Sequence, residues 1–423
     1  MDFTFIHTSD IHLDSPLLGL EEYEGAPVSY VRGATRRAFE NLVDLALREK
    51  VDLVLIAGDL YDGDWRDYNT GLFFISQMAR LNRAGIQVCL VRGNHDASSQ
   101  ITHRLRLPPN CTDFSTSQPE TVLFDDLKVA VHGQGFPHAA VREDISRGYP
   151  GARKGYFNIG LLHTCVNGRA GHDNYAPCDL SYLRSKGYDY WALGHVHRGE
   201  VLNRDPWIVF PGNLQGRHIR EDGPKGCVLV TVKDGLVSTV QEHFVDVLRW
   251  QICPVDVSTS RSYDGVLDLA GAAMDRALAQ SEGRRLALRM VLTGRCAVHE
   301  RLMGNISHLS GNLRALAVDR GQESLWVEKV KVATRASVRE ESVLENHPVA
   351  ALFQYLEESG GDVSFLEELA LELERDRNAL PSELFALGEW DPGCVSSLEE
   401  ALPQVRELIL SRLLDKEGLD REN

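Results

Sequence analysis

Five short polar segments, most of them placed directly behind apolar runs, constrain this chain more than any other feature. They are Asp10-Ile-His12, Gly58-Asp59, Gly93-Asn94-His95-Asp96, Leu162-His163-Thr164 and Gly194-His195-Val196-His197. The apolar runs Phe3–His7, Asp52–Ala57, Gln87–Val91, Phe157–His163 and Tyr188–Leu193 have the length and composition of strands. In an open α/β sheet, residues just past the carboxyl ends of strands converge on one edge. Side chains spread from position 10 to position 197 can therefore meet. Alternation in an extended segment predicts Asp10 and His12 on one side, and His195 with His197 likewise. Glycine beside a ligand lets the backbone turn sharply and another group approach.

The collected side chains are two carboxylates (Asp10, Asp59), one amide (Asn94) and four imidazoles (His12, His163, His195, His197). Carboxylate and carbonyl oxygens suit hard cations such as manganese, and imidazole suits iron, zinc and similar ions. The ligand arithmetic fits two sites: Asp10, His12 and His197 for one, Asn94, His163 and His195 for the other, with Asp59 bridging. Cations bridged in this way lie roughly 3.5–4 Å apart, lower the pKa of a shared water and clamp both oxygens of an in-line phosphoryl displacement. Each segment alone has an ordinary explanation. Asp-x-His arises by chance, Gly-Asp is a common turn, and most histidines pack or face solvent. The occurrence of all five, in order, is what points to a dimetal centre.

Around these segments the first 245 residues read as an α/β layered domain, with helices over 32–49 and 69–84 alternating with strands. After Pro119 strand signals dominate, which predicts a second, mostly antiparallel sheet. From 249 to 340 the pattern restarts as a small α/β domain, with a helix over 263–280. From 346 to 423 the signals are helical, over 348–359, 364–377 and 397–416. That last region is also where the acidity lies. Residues 341–423 hold 20 of the 61 acidic and 6 of the 45 basic residues, leaving 41 and 39 for the rest. An acidic tail repels a phosphate backbone, while a near-neutral remainder can still carry a local basic face. The 8 cysteines have no two-residue spacing of a zinc or redox motif, and the reading is reduced, buried thiols. No apolar run has transmembrane length and the start lacks a secretion signal, so the expected location is cytoplasmic, away from membranes.

The order Asp-x-His, Gly-Asp, Gly-Asn-His-Asp, His and Gly-His-x-His resembles that of calcineurin-like metallophosphoesterases. The stretches Phe5–Asp14, Ile56–Asp62, Val91–Asp96 and Pro211–Gly216 are closer still to SbcD-like DNA repair exonuclease subunits. Gly63–Asn69 and Gly216–Glu221 are similar to the YhaO-like branch of that group. The resemblance is strong over 1–245, weak over 250–340 and general beyond. It implies a four-layer α-β-β-α sandwich, a small α/β capping domain and a helical C-terminal tail. It implies manganese as the usual metal, and hydrolysis of DNA phosphodiesters, stepwise from a 3′ end and as nicking near ends. The implied partner is an SMC-like coiled-coil ATPase docked through C-terminal helices, and the implied assembly is a homodimer.

His95 follows Asn94 directly and is expected beside the metals without binding them. There it can meet the transition-state phosphate charge or protonate the leaving oxygen, as in the family. Asp96 can orient it or simply cap a helix. Arg217, His218 and Arg220 could hold flanking phosphates or line a solvated loop. Arg32, Arg36 and Arg37 could touch DNA or a second subunit, or face water. Leu366, Leu369, Leu373 and Phe385 could fold back as a small bundle or pack on the ATPase. Two rivals to a DNA nuclease stay open: a phosphodiesterase for a small molecule, and a non-catalytic subunit whose metals brace the fold.

Overall fold

The run Phe-Thr-Phe-Ile-His-Thr forms the first strand of a computed structural model that describes residues 1–15, 30, 33–62, 68–97, 106–166, 176–336, 350–360, 362–379, 391, 393–399, 401, 402 and 405. The chain makes two compact units: 1–252 with 278–288 and 323–328, and 253–277 with 289–322 and 329–423.

The first unit opens with β1 (Phe3–Thr8), α1 (Ala34–Glu49), β2 (Leu53–Ala57), α2 (Asn69–Arg83), β3 (Gln87–Val91), the short α3 (Asn94–Ala97) and β4 (Cys111–Asp113). It continues with β5 (Glu120–Phe124), β6 (Val129–Gly133), β7 (Phe157–His163), α4 (Leu180–Ser185), β8 (Tyr190–Gly194), β9 (Glu200–Arg204) and β10 (Trp207–Phe210). Strands β11 (Gly226–Lys233) and β12 (Leu236–Phe244) follow. One sheet has the order β12-β11-β1-β2-β3-β4 and the other β5-β6-β7-β8-β10-β9.

The layers follow from which faces are apolar. Helix α1 buries Ala38, Phe39, Leu42, Val43 and Ala46, the spacing of one helical face. It stops at Lys50, whose left-handed φ of 52° caps it through an N–H bond to the Ala46 carbonyl. Phe39, Leu42, Phe74 and Met78 pack on Ile6, Val54, Ile56 and Leu90 on one face of the first sheet. On its other face Phe5, Leu55 and Val91 meet Val131, Ile159, Leu161 and Ala192 of the second sheet. Each such fully buried side chain is worth about 1.5–3 kcal/mol. Trp191, Leu193 and Phe210 point out from the second sheet against Leu183 and Tyr188. The order is helix, sheet, sheet and a thin outer layer, which is the α-β-β-α class.

The second sheet departs from the antiparallel expectation. The pairs β6–β7, β7–β8 and β8–β10 are parallel, and only β5–β6 and β9–β10 are antiparallel. Parallel neighbours need crossovers, normally marked by a long helix. Among the described residues the connections carry α4 and a 3-10 turn at Ile145–Gly148, both too short to announce a crossover by helical periodicity. Strands β11 and β12 also join the first sheet, on the far side of β1.

Beyond these lie β13 (Leu248–Asp256), β14 (Arg285–Arg295) and β15 (Leu325–Arg335), a three-stranded sheet in that order. The helices of the second unit are α5 (Tyr263–Gln280), α6 (His299–Gly304), α7 (Ile306–Gly321), α8 (Ala350–Gly360) and α9 (Val363–Ala379). In α9, Leu366, Leu369 and Leu373 pack with Ala370 and Leu398 into a small cluster. Phe385 lies outside the described residues, as does most of the helix expected over 397–416.

Candidate metal centre

The loops after β1 and β2 are zipped together by main-chain bonds. Asp10 N donates to Gly58 O (3.0 Å), Ile11 N to Asp59 O (2.9 Å), and Leu13 N to Leu60 O (2.9 Å). This pairing carries Asp10 and His12 to Asp59, although the two segments lie about fifty residues apart in sequence. The backbone route is not an extended strand. Asp10, His12, Asp59 and His195 have φ of 49°, 47°, 51° and 103°. Non-glycine residues avoid this region, at a cost of order 1–3 kcal/mol each, and they cluster at functional sites. Left-handed kinks, not strand alternation, aim these side chains.

All seven sequence-derived ligand candidates meet at this edge. Asp10, His12 and His197 present ligand atoms within 4.8 Å of one another, and so do Asp59, His163 and His195. Asn94 joins the second group, its Oδ1 3.0 Å from His163 Nε2. Asp59 lies between the groups, 3.4 Å from His163 Nε2 and 4.0 Å from His12 Nε2. Five of the seven residues are buried, and His197 and Asn94 are the more open members. Close packing is enforced behind them: a Cβ on Gly58, itself at φ 92°, would lie 2.4 Å from His163 Nδ1, and one on Gly93 would lie 2.2 Å from Asp59 Oδ1.

Two observations bear on whether a cation fits. Asp10 Oδ1 and both ring nitrogens of His12 are buried without a hydrogen-bond partner. Buried polar atoms left unpaired cost about 1–3 kcal/mol each, so several such atoms in one site call for a cation. The other ring nitrogens and carboxylate oxygens are braced. His163 Nδ1 bonds the Ala57 carbonyl (2.9 Å), His195 N donates to Asp10 Oδ2 (3.0 Å), and Ser9 Oγ donates to the same oxygen (2.5 Å). The residues present fit two hard or borderline cations.

The electrostatics agree. Burial alone would raise Asp10, but His197, His163 and His12 outweigh it and hold its carboxyl far below the usual range. Burial, with the Arg217 charge beside it, pushes His12 down to about 4, the neutral form that binds metal. His197 goes the other way: burial opposes protonation, yet Asp10 and Glu221 carry it up to about 9. Loading a cation there requires His197 to release that proton.

His95 sits at the rim, 43% exposed, and its Nδ1 is 2.6 Å from Asp62 Oδ1. Burial works against its proton, and the Asp62 bond raises its pKa above the ordinary value. Asp96 does not play the orienting part expected of it. Its buried carboxylate accepts from the backbone N–H of Leu60 (3.1 Å), Tyr61 (2.8 Å) and Gly93 (3.1 Å), which locks the loop after β2 to that after β3. Burial and the Asp59 charge push it up to about 7 while those three donors pull it down.

Sequence reasoning missed Asp62 and Glu221. Asp62 collects His95, Ser15 Oγ (2.5 Å), Arg217 (3.5 Å) and His12 Nδ1 (3.6 Å). Glu221 accepts from His197 (2.6 Å), Asn213 Nδ2 (3.0 Å) and Arg217 N (2.7 Å) and NH2 (2.9 Å). The available signals were the three-residue step from Asp59 to Asp62 and the four-residue step from Arg217 to Glu221. Arg217 is thus tied down inside the fold. Arg36 pairs with Asp14, and Arg37 stacks 3.9 Å over Tyr30. Arg32 lies outside the described residues.

Residues 3–199 match the family model for calcineurin-like phosphoesterases, and residues 250–335 match the middle domain of metallophosphoesterase YhaO. The chain is 34% identical over 297 residues to the uncharacterised metallophosphoesterase YhaO of Bacillus subtilis, covering 69% of this chain and 72% of that protein. The chain belongs to the calcineurin-like metallophosphoesterases. Within them it falls in the YhaO-like branch. It is also 25% identical over 287 residues to the DNA double-strand break repair protein Mre11 of Methanopyrus kandleri, spanning 60% of this chain and 59% of that one. A dimetal phosphatase of Danio rerio aligns at 14% identity with a TM-score of 0.36, over 55% of this chain and 93% of that one. Calcineurin-like phosphoesterases hydrolyse phosphoester bonds and bind two divalent metals. Among the described residues of this metallophosphoesterase no helix is long and apolar enough to cross a membrane.

Proposed function

We propose that this metallophosphoesterase is a two-metal phosphodiesterase that cuts DNA, with manganese as the working metal. The observation that carries the metal centre is that Asp10 Oδ1 and both ring nitrogens of His12 are buried without a hydrogen-bond partner, among two groups of ligand side chains. Asp10, His12 and His197 would hold one cation and Asn94, His163 and His195 the other, with Asp59 placed between the two groups. When bound, the pair of cations supplies an acidified water and charge stabilisation for an in-line displacement at phosphorus. The chain's own groups do the rest. The Asp62 carboxylate turns His95 toward the open rim, from which its ring can protonate the leaving oxygen. Asp96 keeps the two ligand-bearing loops in register through its three N–H bonds.

DNA as substrate is supported by the similarity to a DNA break repair protein and by the additional regions beside the catalytic one. The domain reading is 1–245 catalytic, 249–340 capping and 346–423 for docking. The last would seat an SMC-like coiled-coil ATPase, its exposed Leu352, Tyr355 and Leu371 supplying apolar contacts. A homodimer through helices of the catalytic region and a cytoplasmic setting complete the proposal. The test is a substrate panel with added manganese: a labelled DNA hairpin, single-stranded DNA and bis-p-nitrophenyl phosphate. Cleavage of DNA, abolished by a chelator, is expected. Hydrolysis of the small ester with both DNA substrates intact would sink the nuclease reading, and inertness toward all three would sink the hydrolase.

A further inference from the structure

Next to His197 the surface opens into a groove of about 830 Å³. It is lined by Pro211, Gly212 and Asn213, by Arg220, Asp222 and Lys225 of the segment that follows, and by Glu242 and Phe244 of β12. The groove shares His197, Asn213, Arg217 and Glu221 with the metal centre and its brace, so it is continuous with the reacting position.

The cations along it differ in a way that matters. Arg217 is spent on Glu221 and Asp62 and is largely buried. Arg198 and Arg220 are exposed and make no ion pair among the described residues. Lys225 donates from Nζ to the His197 carbonyl (3.1 Å), and the carboxylates that act on it are Glu221, Asp222 and Asp246. Burial lowers the Lys225 pKa and Arg198 adds to this, while Glu221, Asp222 and Asp246 oppose it. These three positive groups line a groove in which glycine lets the backbone pack closely. A Cβ on Gly212, already at φ 80°, would lie 2.8 Å from Gly199 N, and one on Gly199 would lie 3.1 Å from Glu242 Oε1. Phe244 is 40% exposed, with the Arg249 guanidinium 5.7 Å from its ring centroid, and the rest of the ring offers a surface on which an unpaired base can stack.

We infer that this groove seats a single strand of nucleic acid running away from the scissile phosphate, with its phosphates at Arg198, Arg220 and Lys225 and a base against Phe244. A small phosphoester would leave the groove empty. The inference rests on the two-metal phosphodiesterase reading and gives that site its substrate track. Stacking of one base is worth about 1–3 kcal/mol, and each phosphate neutralised on a single strand contributes about 0.7 to the slope of log K against log salt.

The experiment is fluorescence anisotropy of the full chain with a labelled, hydrolysis-resistant phosphorothioate oligonucleotide, over a salt series. In R198A/R220A the salt slope is expected to fall by about 1.4, and F244A is expected to weaken binding about 5- to 100-fold with the slope kept. R80A/R83A, which removes two charges from helix α2, is expected to leave both unchanged. An unchanged slope in R198A/R220A, or an equal drop in R80A/R83A, overturns the groove. Hydrolysis of bis-p-nitrophenyl phosphate by the wild-type chain reports on the metal centre alone. Its failure breaks the hydrolase reading, whereas an unchanged slope breaks only the track.

Discussion

His197 and His163 are both imidazoles turned toward an aspartate in the same centre, but their second ring nitrogens meet different partners. His197 Nδ1 meets the Glu221 carboxylate at 2.6 Å, and Glu221 is itself held by Arg217 and Asn213. His163 Nδ1 meets the main-chain carbonyl of Ala57 at 2.9 Å, at the end of a central strand. One half of the centre is therefore braced by a charged side-chain network, and the other by the sheet. A carboxylate behind a histidine raises its basicity and fixes its tautomer. A strand carbonyl fixes the tautomer without adding charge. The Glu221 half can be tuned or damaged by single side-chain changes at a distance, while the His163 half is as rigid as the strand behind it.

The largest effect is expected where the halves join. Asp59→Ala removes the one carboxylate within reach of both, and should take turnover of bis-p-nitrophenyl phosphate to background with metal content falling at both sites. Metal analysis alongside the assay checks this, and retained turnover would remove Asp59 from the bridge. His95→Ala comes next. It should lose about 10²–10⁴-fold in turnover while keeping its metals. Wild-type rates in that variant would remove His95 from the chemistry.

Glu221→Gln separates the halves. The brace keeps its shape and loses its charge, so one metal site should weaken about 10–100-fold while the other is unmoved. Calorimetric titration of metal into metal-free protein reads the two sites directly. Equal weakening of both, or of neither, would erase the distinction between a side-chain brace and a strand brace.

Which parts of this were legible beforehand follows from where the information resides. The apolar runs beside the polar segments carry their own signal, and Gln87–Val91 and Phe157–His163 form strands at those bounds. The seven candidate ligands could be picked out because imidazole, carboxylate and amide recur at strand ends. Their aim could not. Asp10 and His12 were expected to share a side by strand alternation, yet each turns through a left-handed kink that only the neighbouring loop explains. Parallel pairing in the second sheet was hidden because the described residues of its crossovers form only α4 and a 3-10 turn, too short to signal it. Glu221 looks like any surface glutamate until the turn after β10 folds it under His197. Asp62 stands beside His95 for a similar reason, though nothing in the sequence singled it out. Three backbone donors claim the carboxylate adjacent in sequence, and the one adjacent in space is left to face His95.

The smallest effect concerns what both halves share beneath the centre. His7, in β1 three residues before Asp10, is fully buried, with Nδ1 3.1 Å from Tyr190 Oη and Nε2 3.1 Å from the Leu193 carbonyl. It ties the strand that leads to the Glu221-braced half to the strand that leads to His195. Burial pushes its pKa down to about 3, with the Leu193 bond and Asp10 opposing. The unfolded chain holds that proton from about pH 6.5 downward while the folded chain does not. Unfolding then takes up a proton, so stability falls as pH drops through 6.5. From pH 7 to 5.5 the loss from this one group is about 1.3 kcal/mol. His12, lowered in the same way, adds to the total and His197, raised, works against it, so the quantity to measure is the difference between wild type and His7→Gln in denaturant midpoints across that range. A smaller loss on acidification is expected in His7→Gln. Parallel curves would mean that His7 is not held neutral, and that the two strands under the metal centre are joined by something other than this ring.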